Sequence, residues 1–483
     1  MIKLKYSNGI FNPFFNAIIL TVALLISCQQ EDPKPVSTIT NEANNYVNSW
    51  IQENMEYWYL WNNKLPSAPD KTMDPESFFK SLLYSEDRFS WIQNDYEELL
   101  NSLQGISREA GYEYVLYREK EASDNVLLQI LYTKPESPAS SAGLNRGDII
   151  THINGQQITV GNYKELLESI AEDHSIQYKP IMTEEKGFGA VKTISLSSIQ
   201  YAEDPNYLHS IIPAGDKKIG YFVYNFFATG TDGEQGKYDA EMDAIFLTFK
   251  SESITDLILD LRFNSGGSET SAKNLASLVG TGVDNSKVFL KREYNSKVKE
   301  SILRDEALGE DFLVSKYTSK INNIGNQLSG GRVYVLTSSR TASASELIIN
   351  ALKPFMDVFL IGDRTYGKNV GSISLFEEKD SKNAWGIQPI VVKVFNSLNQ
   401  SEYSTGFEPN VLHKDNDLIL YPLGDTRETL LSQALSQIAG ISTRERLDES
   451  KETRKPLAHS LDFKRRGFNL NVDDNLPDFL LNH

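Results

Sequence analysis

The sequence predicts a multidomain α/β protein of mixed α+β composition, and three observations lead to this prediction. The chain has 483 residues, more than one ordinary domain holds, so two or three domains are expected. Residues 105–200 carry short alternating apolar and polar runs, which are typical of half-buried strands. Residues 201–440 alternate continuous apolar runs with amphipathic ones, which predicts a sheet covered by helices on both faces.

Residues 1–27 predict a targeting segment. Lys3 and Lys5 precede an apolar run at residues 17–26 that is too short to span a bilayer stably. The run ends in Leu-Ile-Ser-Cys, which resembles the lipobox of bacterial lipoproteins and implies cleavage before Cys28 and lipid attachment to it. An uncleaved anchor helix with an incidental cysteine is the alternative. Residues 28–40 are polar and contain prolines, which indicates a tether to the first domain.

The net charge and the single cysteine limit the kinds of partner that the protein can bind and the disulfides that it can form, and the residues after the cysteine indicate its location in the cell. Cys28 is the only cysteine, so no intramolecular disulfide can form. The formal net charge of -17 argues against nucleic-acid binding, which needs basic patches. Acidic residues follow the lipobox and resemble a surface-export signal of some Bacteroidetes-type lipoproteins. We therefore expect a lipid-anchored cell-envelope protein at the outer membrane, facing the periplasm or the cell surface. The oligomeric state is not indicated.

Residues 41–104 predict an N-terminal helical domain. Trp50, Met55 and Trp58 recur at helix-like spacing, and Asp74-Pro75 begins a second helix. Aromatic residues in such a stripe are typical of core packing.

Residues 105–200 resemble a PDZ domain. The segment at 137–155 closely matches the family pattern Pro-Ala-x-x-Ala-Gly-Leu-x-x-Gly-Asp-x-Ile-x-x-Ile-Asn-Gly. PDZ domains add an extended peptide as an extra strand, so the resemblance implies polypeptide substrates as partners. The peptide-binding loop is expected at Gly111, Tyr112, Glu113 and Tyr114, which departs from the usual Gly-Leu-Gly-Phe.

Residues 201–440 predict the largest domain. Its strands are expected at residues 218–224, 254–261, 333–336 and 358–361, which are mostly apolar, and its helices at 236–250, 347–352 and 426–438. Residues 441–483 are mostly polar and charged, which predicts a loosely ordered C-terminal tail.

Ser343 and Lys368 are the candidate catalytic pair in this domain. Ser343 lies between a predicted strand and a predicted helix, so its hydroxyl is expected at a helix N-terminus. Lys368 comes 25 residues later, just past a second apolar strand. A neutral amine can take the proton of a serine hydroxyl and make its oxygen a nucleophile. The structural alternatives are a helix-capping serine and a solvated lysine.

Three ordered motifs resemble the C-terminal processing peptidases, also called tail-specific proteases. They are Asp-Leu-Arg-Phe-Asn-Ser-Gly-Gly at 260–267, Ser-Ala-Ser-Glu at 343–346 and Thr-Tyr-Gly-Lys at 365–368. The resemblance implies a crotonase-like or ClpP-like α/β serine protease core braced by the N-terminal helical segment. It also implies that Lys368 activates Ser343. The oxyanion hole would use the amide of Ala344 and one from Gly266 or Gly267.

One position departs from the family pattern. Many relatives carry a glutamine four residues after the lysine, and this chain has Ser372 there. A hydroxyl can still hydrogen-bond an amine, so Ser372 is the first candidate for orienting Lys368 and Asn369 the second. The six histidines fall in no catalytic motif, which argues against serine–histidine chemistry. No metal-ligand motif or phosphate loop is present in the sequence, so no metal or cofactor is expected.

The sequence thus predicts a serine endopeptidase of the C-terminal processing type that cleaves unfolded or tail-exposed polypeptides. Two other functions stay open. One is a catalytically silent, peptide-binding lipoprotein scaffold that keeps the fold. The other is an esterase or acyl transferase that uses the same serine.

Overall fold

The computed structural model describes residues 38–306, 308–440, 454–463 and 470–472. The predicted targeting segment and Cys28 lie outside the described residues. No helix within the described ranges is both long enough and apolar enough to cross a membrane.

The N-terminal region is built from helices that pack on the largest domain. Asp74 begins the second helix by accepting the Ser77 N–H at 3.0 Å, with Pro75 at the first helical position, as predicted. Phe78 and Phe79 of this helix are buried against Met55 of the first. The elements are α1 (Thr38–Trp58), α2 (Pro75–Leu82), β1 (Trp91–Gln93) and α3 (Tyr96–Leu103).

The PDZ-like region is an antiparallel sheet with its own core. Leu116, Leu128 and Ile150 lie on the face of the sheet that packs against Leu166 of the covering helix. Its elements are β2 (Ile106–Glu109), β3 (Tyr112–Arg118), β4 (Val126–Thr133), α4 (Pro138–Ser141), β5 (Ile149–Ile153), β6 (Gln156–Gln157), α5 (Tyr163–Ser169), β7 (His174–Lys179), β8 (Ile181–Met182), β9 (Gly187–Phe188), β10 (Lys192–Leu196) and β11 (Ile199–Ala202).

The largest region alternates strands and helices. Its elements are β12 (Leu208–Ala214), β13 (Lys217–Val223), α6 (Lys237–Ser251), β14 (Asp256–Asp260), β15 (Gly267–Ser268), α7 (Glu269–Val279), β16 (Val288–Tyr294), α8 (Ser296–Arg304), β17 (Val314–Lys316), β18 (Arg332–Thr337), α9 (Ala344–Leu352), β19 (Asp357–Gly362), β20 (Val370–Ser372), β21 (Leu375–Phe376), β22 (Gly386–Gln388), β23 (Ile390–Phe395), β24 (Val411–Leu412) and α10 (Thr429–Ala439).

The central sheet of this region has the strand order β12-β13-β14-β18-β19-β24, and every pair except β12 with β13 is parallel. Successive residues of a strand point to opposite faces. Leu257 and Leu259 accordingly pack in the core that contains α6, α7 and α9, whereas Ile258 packs in the core that contains α10. Both faces are covered, as the continuous apolar strands predict.

The C-terminal part differs from the predicted loose tail. Strand β25 (Pro456–His459) extends the PDZ-like sheet beside β3. Strand β26 (Leu470–Asn471) lies between β15 and β20 in a second sheet of the largest region. Neither strand has an apolar pattern of its own. They form because the neighbouring strands present backbone N–H and C=O groups that need partners.

Candidate active site

Ser343 lies in the turn between β18 and α9, at the position that caps the helix. Its backbone has φ 60° and ψ -112°, a conformation that costs a non-glycine residue roughly 1–3 kcal/mol. The side chain is fully buried, and its hydroxyl oxygen has no hydrogen-bond partner within the described ranges. Ala344 is the first residue of α9, so its amide lies at the positive end of the helix dipole. A strained strand-to-helix turn is the geometry that presents a nucleophilic serine in the α/β-hydrolases.

Lys368 lies between β19 and β20 and is fully buried. Burial disfavours the charged amine and lowers the pKa of Lys368 to about 7, although the carboxylates of Asp87 and Glu346 oppose this shift. The Lys368 Nζ atom stands 5.0 Å from the centre of the Phe89 ring. A lysine in this setting is partly neutral at neutral pH, which is the state that a general base needs.

Glu346 joins the serine and lysine motifs. Its Oε2 atom accepts the backbone N–H of Ser343 at 2.9 Å and that of Lys368 at 2.8 Å. Its Oε1 atom accepts the N–H of Gly367 at 2.7 Å and the hydroxyl of Thr365 at 2.6 Å. Burial raises the pKa of Glu346, and these four hydrogen bonds offset part of the rise. One buried carboxylate therefore fixes the two motifs relative to each other.

The double-glycine motif meets the serine turn through Asn264. The backbone oxygen of Asn264 accepts the Ala342 N–H at 3.2 Å and the Ser345 hydroxyl at 3.1 Å. The Asn264 side-chain oxygen accepts the Gly266 N–H at 2.9 Å, so this amide is already engaged. Gly267 has φ 135°, and a Cβ atom there would lie 2.0 Å from the Phe227 oxygen. Glycine is therefore required at position 267 by close backbone packing.

Gly267, Ser343 with Ala344, and Lys368 follow β14, β18 and β19 respectively, and these three strands are neighbours in the central sheet. Ser372 ends β20 and is buried. Asn369, the second candidate for orienting the lysine, donates its side-chain amide to the Ser401 backbone oxygen at 2.7 Å.

The PDZ loop residues lie in the other sheet and are largely engaged with their own domain. The Gly111 oxygen accepts the Lys134 N–H at 2.9 Å, and Glu113 pairs with the Lys134 amine at 3.2 Å. The Tyr112 hydroxyl lies 3.1 Å from His174 Nε2. Tyr114 donates its N–H to the Ser460 hydroxyl at 3.2 Å. These contacts explain the departure from Gly-Leu-Gly-Phe, because Glu113 serves a buried ion pair.

Sequence reasoning missed three contributors to the site. The Ser-x-x-Glu spacing at 343–346 is the signal that could have indicated the Glu346 bond to the Ser343 N–H, but nothing in the sequence signals the Glu346 contacts with residues 365–368. Asp87 and Phe89 come from the loop after α2 and carry no catalytic motif. Within the described ranges no group of three or more histidine, cysteine, aspartate or glutamate side chains could hold a metal ion.

Three family models match separate parts of the chain. The Peptidase family S41 model matches residues 218–412, the Peptidase S41 N-terminal domain model residues 46–91 and the PDZ domain model residues 129–176. The first match contains the three motifs described above.

Individual relatives agree with these matches. The chain is 25% identical over 295 residues to carboxyl-terminal-processing peptidase 1, chloroplastic, of Arabidopsis thaliana, an alignment that covers 60% of this chain and 54% of the relative. It is 24% identical over 244 residues to a Staphylococcus saprophyticus protein named as a CtpA-like serine protease, covering 50% of this chain and 43% of the relative. The chain thus spans about half the length of the curated relatives it matches.

A solved structure that covers most of the chain is also similar to it in sequence. A crystal structure of a Bacteroides fragilis protein assigned to the S41 proteases is 31% identical, with a TM-score of 0.67. The superposition covers 81% of this chain and 97% of that one.

Proposed function

Because the chain belongs to peptidase family S41, we propose that it is a serine endopeptidase of the C-terminal processing type that cleaves unfolded or tail-exposed polypeptides. Ser343 is the nucleophile and Lys368 is the general base. The observation that carries this proposal is the Glu346 carboxylate, which accepts the backbone N–H groups of both Ser343 and Lys368. The Lys368 side chain that it positions in this way is buried and has a pKa of about 7.

The proposed reaction uses groups already in place. The neutral Lys368 amine takes the hydroxyl proton as Ser343 Oγ attacks the peptide carbonyl carbon. The amides of Gly267 and Ala344 stabilise the oxyanion, since the Gly266 amide is engaged by Asn264. The lysine then gives its proton to the leaving amine, and water hydrolyses the acyl-enzyme by the reverse sequence.

Ser372 is the proposed orienting residue for Lys368. It is buried at the end of β20, four residues after the lysine, and the competing Asn369 amide is bonded to Ser401. Kinetics of Ser372→Ala and Asn369→Ala in parallel decide between them. A loss in turnover of roughly ten- to a thousand-fold is expected only for the first. A silent Ser372→Ala with an impaired Asn369→Ala would transfer the role.

Two further assignments complete the proposal. The PDZ domain binds polypeptide substrates. The match to the PDZ domain model and the extended segment that already pairs with β3 support this assignment. The mature chain is held in the cell envelope by a lipid on Cys28, as the lipobox resemblance implies. Metabolic labelling with a fatty-acid analogue should mark the wild type and leave Cys28→Ala unlabelled. Equal labelling of both proteins would contradict the anchor.

The catalytic assignment is tested with purified residues 28–483 acting on casein and on a small ester. Ser343→Ala and Lys368→Ala should each reduce casein cleavage by roughly a thousand-fold or more while the melting temperature stays close to that of the wild type. The double variant should be no worse than either single one, because the two residues act as a unit. Ester turnover without casein cleavage would indicate an esterase, and no turnover of either substrate would indicate a scaffold.

Ser345→Ala separates the neighbouring hydroxyl from the nucleophile. The Ser345 hydroxyl donates to the Asn264 oxygen, so its loss should affect activity far less than loss of the Ser343 hydroxyl. An active Ser343→Ala with an inactive Ser345→Ala would move the nucleophile to position 345.

A further inference from the structure

The peptide edge of the PDZ domain is occupied by the chain itself. β25 pairs antiparallel with β3, with Ala458 opposite Leu116 and His459 opposite Val115. Leu457 packs against the PDZ core, which includes Leu166 of α5. PDZ domains add an extended peptide at the edge of the strand that follows the peptide-binding loop, and β3 is that strand. The C-terminal segment of the chain therefore lies where a bound peptide would add.

After β25, an ion pair between Asp462 and Arg340 holds the same segment next to the serine turn. Asp462 accepts two hydrogen bonds from the guanidinium of Arg340, one of them at 3.0 Å, and Arg340 lies three residues before Ser343. Asp462 also accepts the His459 N–H at 2.8 Å, which shapes the turn after β25. Both members of the Arg340–Asp462 pair are partly exposed, with 24% and 31% of their side-chain surfaces accessible. A pair in contact with water is weak and can be exchanged for other partners.

Further along, the segment enters the space between the double-glycine and lysine motifs. β26 pairs in parallel with β15, with Leu470 opposite Gly267, and with β20, with Asn471 opposite Ser372. The Val472 N–H donates to the Ser372 oxygen at 3.1 Å, and the Val472 side chain is buried.

β26 lies at the edge of Gly267 where the backbone of a substrate would have to lie to reach the proposed oxyanion hole. The groups on either side of Gly267, the Gly266 oxygen and the Ser268 N–H, both bond Phe227. Backbone groups of successive strand residues point to opposite edges, so the peptide groups of Gly267 face the edge where Leu470 pairs. Gly267 is also the glycine whose amide the proposed mechanism assigns to the oxyanion.

From these three contacts we propose that residues 454–463 and 470–472 act as an intramolecular ligand. The first stretch fills the PDZ peptide edge, the second lies in the active-site cleft, and a polypeptide substrate displaces both. The proposal rests on the proposed function for the identity of the cleft. The path of the segment also indicates the class of substrate. The segment continues past Ser460 without ending in the PDZ loop, so the groove takes an extended internal stretch with an apolar residue at the position of Leu457.

The test uses the full chain from residue 28 with two substitutions that release the segment. Leu457→Asp places a carboxylate against the apolar PDZ core, and Val472→Pro removes the N–H that bonds Ser372. The combined variant should lower KM for unfolded casein about five-fold or more with little change in kcat, because it removes a competitor and leaves the catalytic groups in place. Phe463→Ser, at an exposed position of the same segment, is the matched control and should behave as the wild type.

A binding experiment separates this inference from the catalytic proposal. A fluorescent peptide with the sequence of residues 454–472 is added to proteins that carry Ser343→Ala, so no turnover is needed. It should bind the released double variant and fail to bind the Ser343→Ala chain with an intact segment. Equal binding to both proteins, or binding to neither, would overturn the proposal even if casein cleavage behaves as predicted.

Hydrogen exchange keeps the test valid if the release variants fold poorly. Unfolded casein is added in excess to Ser343→Ala with the natural C-terminal segment. The amides of residues 457–459 and 470–472 should exchange at least ten-fold faster as the substrate takes their place. Unchanged protection at saturating casein would show that β25 and β26 are permanent strands of the fold and would refute the proposal.

Discussion

At the residue scale, the environment of Lys368 sets the pH at which the proposed enzyme works. Burial brings the pKa of Lys368 to about 7, and only the neutral amine can accept the Ser343 proton. The neutral fraction increases as pH rises, so kcat/KM should fall about ten-fold per unit below pH 7 and level off above it. A profile that stays flat down to pH 5 would contradict a lysine base.

Lys353 offers a matched control for this profile. Lys353 is exposed, but partial desolvation of its amine also lowers its pKa, and its Nζ atom lies 4.0 Å from the centre of the Phe407 ring, outside the Ser343 turn. Lys353→Met should leave the pH midpoint unchanged. Lys368→Arg should be inactive at every pH, because a guanidinium does not deprotonate in this range.

Ser343 and Lys368 could be predicted from the sequence, whereas the hydrogen bonds that hold the surrounding turns in place could not. Ser343 and Lys368 stand in motifs whose order along the chain is visible in the sequence. Three of the four bonds to Glu346 depend on where the turn at 365–368 folds back, and the Gly266 amide is engaged by a side chain only two residues away. Such bonds are set by the three-dimensional path of each turn, which spacing along the chain does not specify.

At the scale of elements, the loop between α2 and β1 forms one wall of the lysine site. Asp87 accepts the Tyr59 hydroxyl at 2.8 Å and the Phe89 N–H at 2.9 Å, which fixes the loop. Arg88 donates to the Gly367 oxygen at 3.3 Å and so ties the loop to the lysine motif. The N-terminal helical region thereby reaches the proposed catalytic base directly.

Phe89→Ala should move the pH profile toward alkaline values. The ring lies 5.0 Å from the buried Lys368 amine, and its removal should admit water that stabilises the charged form. We expect the apparent pKa to rise by on the order of one pH unit, with lower activity at pH 7 and recovery at higher pH. Phe89→Leu keeps an apolar side chain in place and should show a much smaller shift. Identical profiles for the two variants would mean that the ring does not control hydration of the amine.

The strands and helices of the cores were predictable, and the C-terminal strands were not. Residues 257–259 and 358–361 are apolar throughout and form the centres of the strands β14 and β19. Residues 456–459 and 470–471 lack such a pattern, and their strand state comes from the neighbouring edges of β3, β15 and β20. Pairing between elements distant in sequence overrides local preference there.

At the scale of the whole molecule, a buried ion cluster joins the PDZ domain to the peptidase domain. Arg146 of the PDZ signature donates to Asp415 at 2.9 Å and to Glu428 at 3.3 Å. Arg262 of the Asp-Leu-Arg motif donates to the same two carboxylates and to Asp260. The PDZ domain and the strand that leads to the double-glycine turn therefore share their counter-ions.

This cluster makes folding stability sensitive to acid. Burial alone would raise the pKa of Asp415, but Arg146 and Arg262 lower it to about 2. The ordinary pKa of an unfolded aspartate is about 3.9. Because the folded value is depressed, the stabilisation is present above the unfolded pKa and is lost as pH falls from about 4 toward 2.

Arg146→Met should destabilise the protein by about 3–5 kcal/mol near neutral pH, because it leaves the buried Asp415 and Glu428 with Arg262 alone. The melting temperature should fall, and the PDZ and peptidase domains should unfold in separate calorimetric transitions. Arg108→Met is the matched control, since Arg108 of the PDZ domain pairs with Glu172 on the surface at 3.3 Å. An exposed pair contributes roughly 0–1 kcal/mol, so this control should unfold as the wild type does. Equal losses in the two variants would show that the buried cluster does not couple the domains.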